Sequence, residues 1–151
     1  MNFQVTRSLL VASEGDRLAA ERAILLQHFP QFTIVGNGKH GRFAVATGTL
    51  RTFAGKSYGI KVVAESSYPH VLPDVEPSGW VPTSNPHMIG KSLCVMRSNQ
   101  WQSYMSLAFL VAKSALWLNK YEVFLIRRIW PGPEQHRHGT VYNVRKWWHD
   151  L

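Results

Sequence analysis

The chain has 151 residues, of which 45% are hydrophobic and 12% aromatic. This composition predicts one packed domain over residues 1–151 and excludes a disordered chain. The sequence contains no run of about 18 or more uncharged apolar residues, so no transmembrane helix is predicted. The N-terminus is a poor signal peptide. The net charge of +8 favours an acidic partner. A single cysteine excludes an internal disulfide, so we expect a reduced, cytoplasmic protein.

The first predicted element is a helix over residues 13–29. Ser13 is suited to be its N-cap, with Asp16 three positions later in a variant of the capping box. Apolar side chains then recur at helical spacing, and Pro30 ends the segment. We expect this helix to contribute to the core.

Three strands are predicted next, over residues 31–35, 42–52 and 57–65. Turn-rich segments separate them, which is typical of an antiparallel meander. A fourth short extended segment, residues 74–76, lies between two prolines. The sequence therefore predicts a sheet of three or four antiparallel strands.

The chain changes character between Tyr68 and Pro86. Five prolines occur there at nearly regular intervals: Pro69, Pro73, Pro77, Pro82 and Pro86. Their spacing excludes a helix and fixes an extended path, whereas a flexible linker would be rich in Gly and Ser. Tyr68 and Trp80 predict that this loop packs onto the sheet.

The part of the chain after Cys94 is predicted to be helical. Ser106 begins a strongly apolar helix over residues 107–118, and a second short helix is predicted over residues 121–130, stopped by Pro131. Trp101, Trp117 and Trp130, like Trp80 before them, are interpreted as packing residues. Helices segregated from one antiparallel sheet define an α+β class.

The proline-rich loop and the cysteine carry a pattern that resembles the central signature of ubiquitin-conjugating enzymes. The residues that carry it are Tyr68-Pro69, Pro73, Asn85-Pro86-His87, Gly90, Leu93-Cys94-Val95 and Trp101. The order of helix, meander, proline-rich crossing, cysteine and buried helix also resembles that family over about residues 13–130. The resemblance implies the ubiquitin-conjugating-enzyme-like fold.

Two departures point to a divergent bacterial branch of that family, found in antiphage operons of the CBASS type. The triplet Asn85-Pro86-His87 reverses the family order, in which the asparagine helps to stabilise the oxyanion when a lysine attacks the thioester. Either Asn85 or His87 can therefore take that place. The region after Trp130 is also unlike the helical tail of the eukaryotic members.

The resemblance implies that Cys94 carries an acyl group as a thioester and passes it to a target amine. The donor would be the C-terminus of a ubiquitin-like protein or of a cyclic-oligonucleotide synthase. The implied partners are proteins: that donor, an activating enzyme and the target. The transfer itself implies no cofactor.

The chemistry of Cys94 suits this role because a thiolate both attacks and leaves well. An unperturbed thiol is only about 3% ionised at pH 7. Lys91 and Arg97 would raise that fraction if their side chains point inward. His87 has three interpretations: oxyanion donor, general base for an incoming amine, or a structural residue of the loop. Without the signature, a lone cysteine is usually a buried, inert residue.

Other functions stay open on the sequence alone. The fold could serve as a non-catalytic binding module, and the positive charge could serve nucleic-acid binding, although the basic residues are dispersed. His136 and His138 with Cys94 would make a weak zinc site, because no carboxylate supports them. Trp147 and Trp148 either form a docking patch or close helix contacts. The segment GNGKHG lacks the spacing of a phosphate-binding loop.

Overall fold

The computed structural model describes residues 14–36 and 41–132. The elements in chain order are helix α1 (Glu14–His28), strands β1 (Thr33–Gly36), β2 (Ala44–Arg51), β3 (Ser57–Ala64) and β4 (Asp74–Ser78), the short strands β5 (Met88–Ile89) and β6 (Ser92–Leu93), a 3-10 turn (Ser98–Gln100) and helix α2 (Leu107–Arg127). The predicted first helix is confirmed; its proposed N-cap, Ser13, lies outside the described residues.

Strands β1 to β4 form one antiparallel sheet in the order β1-β2-β3-β4. Val62 of β3 lies opposite Ala46 on one side and Val75 on the other, and all three are buried. Residues opposite each other on neighbouring strands lie on the same face of the sheet, so this face packs against the core. The predicted four-stranded meander and the α+β class are confirmed.

The prediction of two C-terminal helices is wrong, because α2 is continuous from Leu107 to Arg127. Asn119 and Lys120, at the predicted break, do not interrupt the helix. The Asn119 side-chain amide donates to the Ala115 carbonyl oxygen at 2.9 Å, a bond that a helical backbone accommodates. The helix instead ends at Arg128, whose φ of 58° is left-handed.

Ser106 is confirmed as the residue that begins α2. Its side chain accepts a hydrogen bond from the Phe109 amide, which satisfies one of the free donors at the start of the helix. The helix buries Leu107, Leu110 and Leu118 against the sheet in a single hydrophobic core. Within the described ranges, no helix is long and apolar enough to cross a membrane. That residues 1–151 form one domain stays a prediction.

A buried ion pair, not predicted from the sequence, joins α1 to the start of α2. The Arg17 guanidinium lies 2.9 Å from the Glu21 carboxylate, and their side chains are only 3% and 0% exposed. The second oxygen of Glu21 accepts from the Leu107 amide at 2.9 Å. Arg17 also donates to the Tyr68 hydroxyl at 2.9 Å, while that hydroxyl donates to Glu21. This network fixes Tyr68, the first residue of the signature, to both helices.

Candidate functional site

Cys94 follows the small hairpin formed by β5 and β6. Gly90 lies in its two-residue turn with a φ of 58°, a conformation that favours glycine. Met88 pairs with Leu93, and the Cys94 amide continues the ladder by donating to the His87 carbonyl oxygen at 2.9 Å. Residues opposite each other on antiparallel strands have Cβ atoms about 5 Å apart on the same face. The hairpin therefore brings His87 and Cys94 together.

Aromatic residues hold His87 in place. Its ring is stacked on Trp130, with centroids 4.4 Å apart and an interplanar angle of 28°. The Trp117 indole donates to the His87 carbonyl oxygen at 3.1 Å, so this oxygen accepts from both Trp117 and Cys94. His87 is 2% exposed. The backbone of His87 is thus held by Trp117 of α2, and its ring by Trp130, which follows α2.

Asn85 shapes the turn that leads into His87. Its side-chain oxygen accepts from the His87 amide at 2.9 Å, and its side-chain nitrogen donates to the Thr83 carbonyl oxygen at 2.9 Å. An asparagine that bonds the backbone two residues later forms a local turn. Both polar atoms of the Asn85 side chain are therefore engaged by the loop, with one amide proton of the side chain left over.

The proline-rich loop around this turn is anchored to the rest of the fold by three hydrogen bonds. The Thr83 amide donates to the Tyr121 hydroxyl at 2.7 Å, the Trp80 indole to the Gly59 carbonyl oxygen at 2.8 Å, and the Trp101 indole to the Pro69 carbonyl oxygen at 2.7 Å. Trp101, Trp117 and Trp130 are buried and Trp80 is half-buried. The interpretation of these tryptophans as packing residues is confirmed.

The environment of the Cys94 thiol is set by burial and by one nearby cation. Cys94 is 3% exposed. Burial raises the pKa of the Cys94 thiol, and the positive charge of Arg97 partly offsets this rise. Lys91 does not point towards Cys94: its ammonium pairs with the Glu76 carboxylate at 3.4 Å. Only one of the two cations considered from the sequence therefore acts on the thiol.

The other polar and aromatic residues considered for a site lie away from the hairpin or outside the described residues, and two polar residues that follow Cys94 are exposed. Ser98 and Asn99 are exposed on the 3-10 turn. His136, His138, Trp147 and Trp148 lie outside the described residues. Across residues 14–36 and 41–132, no group of three or more His, Cys, Asp or Glu side chains could hold a metal ion.

The hairpin, the proline-rich crossing and the helix order agree with a comparison against protein families. The family described as type II CBASS E2 protein matches residues 21–137, which include the whole of the hairpin and α2. The chain belongs to this family. No curated protein matches it.

Membership in the type II CBASS E2 family gives the chain an E2-like role in antiphage defence. E2 is the name of ubiquitin-conjugating enzymes, so the resemblance carried by the signature around Cys94 is confirmed. The family also implies protein partners within a conjugation system.

Proposed function

We propose that this type II CBASS E2 protein is a cysteine-dependent acyltransferase with Cys94 as its nucleophile. The observation that carries the proposal is the pairing of His87 and Cys94 across the β5–β6 hairpin, with 2.9 Å between the His87 carbonyl oxygen and the Cys94 amide nitrogen. A nucleophile whose pKa is raised by burial needs an adjacent base to ionise it, and histidine is the usual base for cysteine.

The first step forms a thioester. The Cys94 sulfur attacks the carbonyl carbon of an activated donor C-terminus, and the thiol proton passes to His87. As the C–S bond forms, the bond to the donor's leaving group breaks, and His87 passes the proton to that group, so that it can act as a base again. The donor is the C-terminus of a ubiquitin-like protein or of a cyclic-oligonucleotide synthase, activated by another protein. Because Cys94 is 3% exposed, donor binding must open access to its sulfur.

The second step transfers the acyl group to an amine. The target amine attacks the thioester carbonyl, the C–N bond forms, the C–S bond breaks, and Cys94 leaves as a thiolate. A base must remove the amine proton, and we assign this role to His87. We assign Asn85 to positioning His87, because its side-chain oxygen holds the His87 amide. The alternative role of Asn85 is to stabilise the oxyanion by donating its remaining side-chain amide proton to it. These steps need no cofactor, and the reduced thiol suits the cytoplasm.

The reaction is tested with a synthetic donor, a peptide ending in glycine and supplied as an alkyl thioester, followed by excess free lysine. The full chain is expected to make the peptide–lysine amide about 100-fold faster than the uncatalysed reaction. Cys94→Ala is the matched control, because alanine keeps the Cβ atom and removes only the thiol. Equal rates for the two proteins would overturn the proposal.

A further inference from the structure

Helix α2 carries a second apolar face, turned away from the sheet. Leu116 and Val123 are seven positions apart and therefore lie on one side of the helix, with Ile126 one turn after Val123. Within the described residues, neither Leu116 nor Val123 belongs to the hydrophobic core or packs on it. Ile126 is 84% exposed. We call Leu116, Val123 and Ile126 the outer face of α2.

The outer face extends onto the turn between β2 and β3. The Phe53 amide donates to the Asn119 side-chain oxygen at 3.0 Å, which places Phe53 beside the middle of α2. The Phe53 side chain is 81% exposed. Phe53 and Ile126 are exposed, and Leu116 and Val123 are half-buried. Apolar side chains left exposed together on one side of a fold mark an interaction site.

A row of cations follows one edge of the outer face. The row consists of Lys113, Lys120 and Arg127, which are seven residues apart along α2. Consecutive cations are therefore about 10.5 Å apart along the helix axis. The residues three and four positions from Lys113 are all apolar. The sole acidic residue of α2, Glu122, is 9% exposed and accepts from the Thr52 hydroxyl at 2.9 Å, so it faces the sheet side.

Two of the three cations of this row, Lys113 and Lys120, are in a partly desolvated setting. Burial lowers the pKa of Lys113, and the nearby charge of Lys120 lowers it further. Burial also lowers the pKa of Lys120. The positive charges of Lys113 and Lys120 repel each other, so a carboxylate that approaches them stabilises both ammonium groups. The row thus favours an acidic partner over a neutral one.

We propose that the outer face of α2 docks an amphipathic helix of a partner protein, with carboxylates flanking its apolar stripe. Pairs of amphipathic helices use two features that the outer face also has: apolar residues at seven-residue spacing and charged residues beside them. A second copy of this chain fits less well, because antiparallel pairing would bring two cation rows together. The Trp117 indole, one turn after Lys113, bonds the His87 carbonyl oxygen, so the partner would lie close to the Cys94 hairpin.

The probe is a labelled 21-residue helical peptide with Leu and Val at its a and d positions and Glu at both flanking positions. A peptide with Lys in place of Glu is its control. We expect the full chain to bind the Glu peptide at least about tenfold more tightly than the Lys peptide at low salt, and the difference to shrink at high salt. The double variant Lys113→Glu/Lys120→Glu is expected to reverse this preference.

Arg22→Glu/Arg42→Glu makes the same change of net charge at other surface positions and is expected to keep the preference for the Glu peptide. Leu116→Ala leaves the charges intact and is expected to weaken binding of the Glu peptide by about tenfold. Circular dichroism checks that each variant is folded.

Several results would overturn the proposal. Equal binding of the two peptides, binding of neither, or an effect of Arg22→Glu/Arg42→Glu as large as that of Lys113→Glu/Lys120→Glu would each do so. Self-association that is lost in Leu116→Glu would show that a second copy covers this face. Tighter binding of a 20-base-pair DNA duplex than of the Glu peptide, lost in Lys113→Glu/Lys120→Glu, would assign the row to nucleic acid.

Discussion

The Cys94 amide donates to the His87 carbonyl oxygen at 2.9 Å, so the two residues face each other across the β5–β6 hairpin. The same carbonyl oxygen accepts from the Trp117 indole of α2 at 3.1 Å. This shared acceptor connects the cysteine, the histidine and the long helix at one point. Changes at any of the three residues are therefore expected to affect the reactivity of Cys94.

His87→Gln is expected to lower the rate of acyl transfer from Cys94 to lysine by about 100-fold, because no base then removes the amine proton. Single-turnover discharge of the thioester to lysine measures the rate. His70→Gln, at an exposed histidine, is the matched control. An unchanged discharge rate in His87→Gln would remove the base role.

Asn85→Asp separates positioning from oxyanion stabilisation. Aspartate keeps an oxygen to accept from the His87 amide but loses the side-chain donor. If Asn85 acts by positioning His87, we expect the variant to keep its discharge rate within about threefold, whereas Asn85→Ala loses the turn and is slower. A loss of about 100-fold or more in Asn85→Asp would instead assign the oxyanion role to Asn85.

Arg97→Gln is expected to make the Cys94 thiol less reactive. Burial raises the pKa of Cys94 and the Arg97 charge lowers it, so removing that charge raises the pKa further. The rate of alkylation by iodoacetamide at pH 7 should fall several-fold, and its pH profile should move to higher pH. Arg51→Gln, at an exposed arginine of β2, controls for the change of net charge. The same profile in both variants would contradict the assignment.

Arg17→Met is expected to lower the free energy of unfolding at neutral pH by about 3–5 kcal/mol, because it leaves the Glu21 carboxylate buried without its cation. Arg42→Met removes the cation of an exposed pair, with side chains 42% and 52% exposed, and should cost about 0.5 kcal/mol or less. Urea unfolding of both variants measures the difference. Equal losses would contradict a special role for the buried pair.

The loss in Arg17→Met should also depend on pH. Burial already raises the pKa of Glu21 above its ordinary value, while Arg17 lowers it. Removing Arg17 raises the pKa of Glu21 further. As the pH falls through this raised pKa, Glu21 takes up a proton, and the unfavourable buried negative charge is removed. The deficit is therefore expected to be larger at pH 8 than at pH 5. A deficit that does not change with pH would contradict this explanation.

The sequence predicted the parts of the fold that depend on regular patterns. Turn-rich segments marked the limits of β2 and β3, Ser106 marked the start of α2, and the proline spacing marked the loop that precedes the hairpin. The continuity of α2 was missed because Asn119 and Lys120 are polar, although neither breaks a helix.

The contacts that depend on three-dimensional packing could not be predicted in the same way. Arg17 and Glu21, four residues apart, have the spacing of a surface ion pair. The approach of Tyr68, Leu107 and the carbonyl oxygens of Ser103 and Met105 surrounds the pair in the fold. Strands β5 and β6 have two residues each, too few to show a period. For the site, the signature predicted that Cys94, His87 and Asn85 belong together, but not that Asn85 is engaged by the backbone on both sides.

Whether Cys94 carries an acyl group as a thioester is best decided by intact mass spectrometry after incubation with the glycine-ended peptide thioester. Cys94 is the single cysteine of the chain, so a thioester adduct can form there alone. We expect a mass increase equal to the acyl peptide, removed by dithiothreitol and absent in Cys94→Ala. No adduct on the wild-type protein, or an equal adduct on Cys94→Ala, would contradict it.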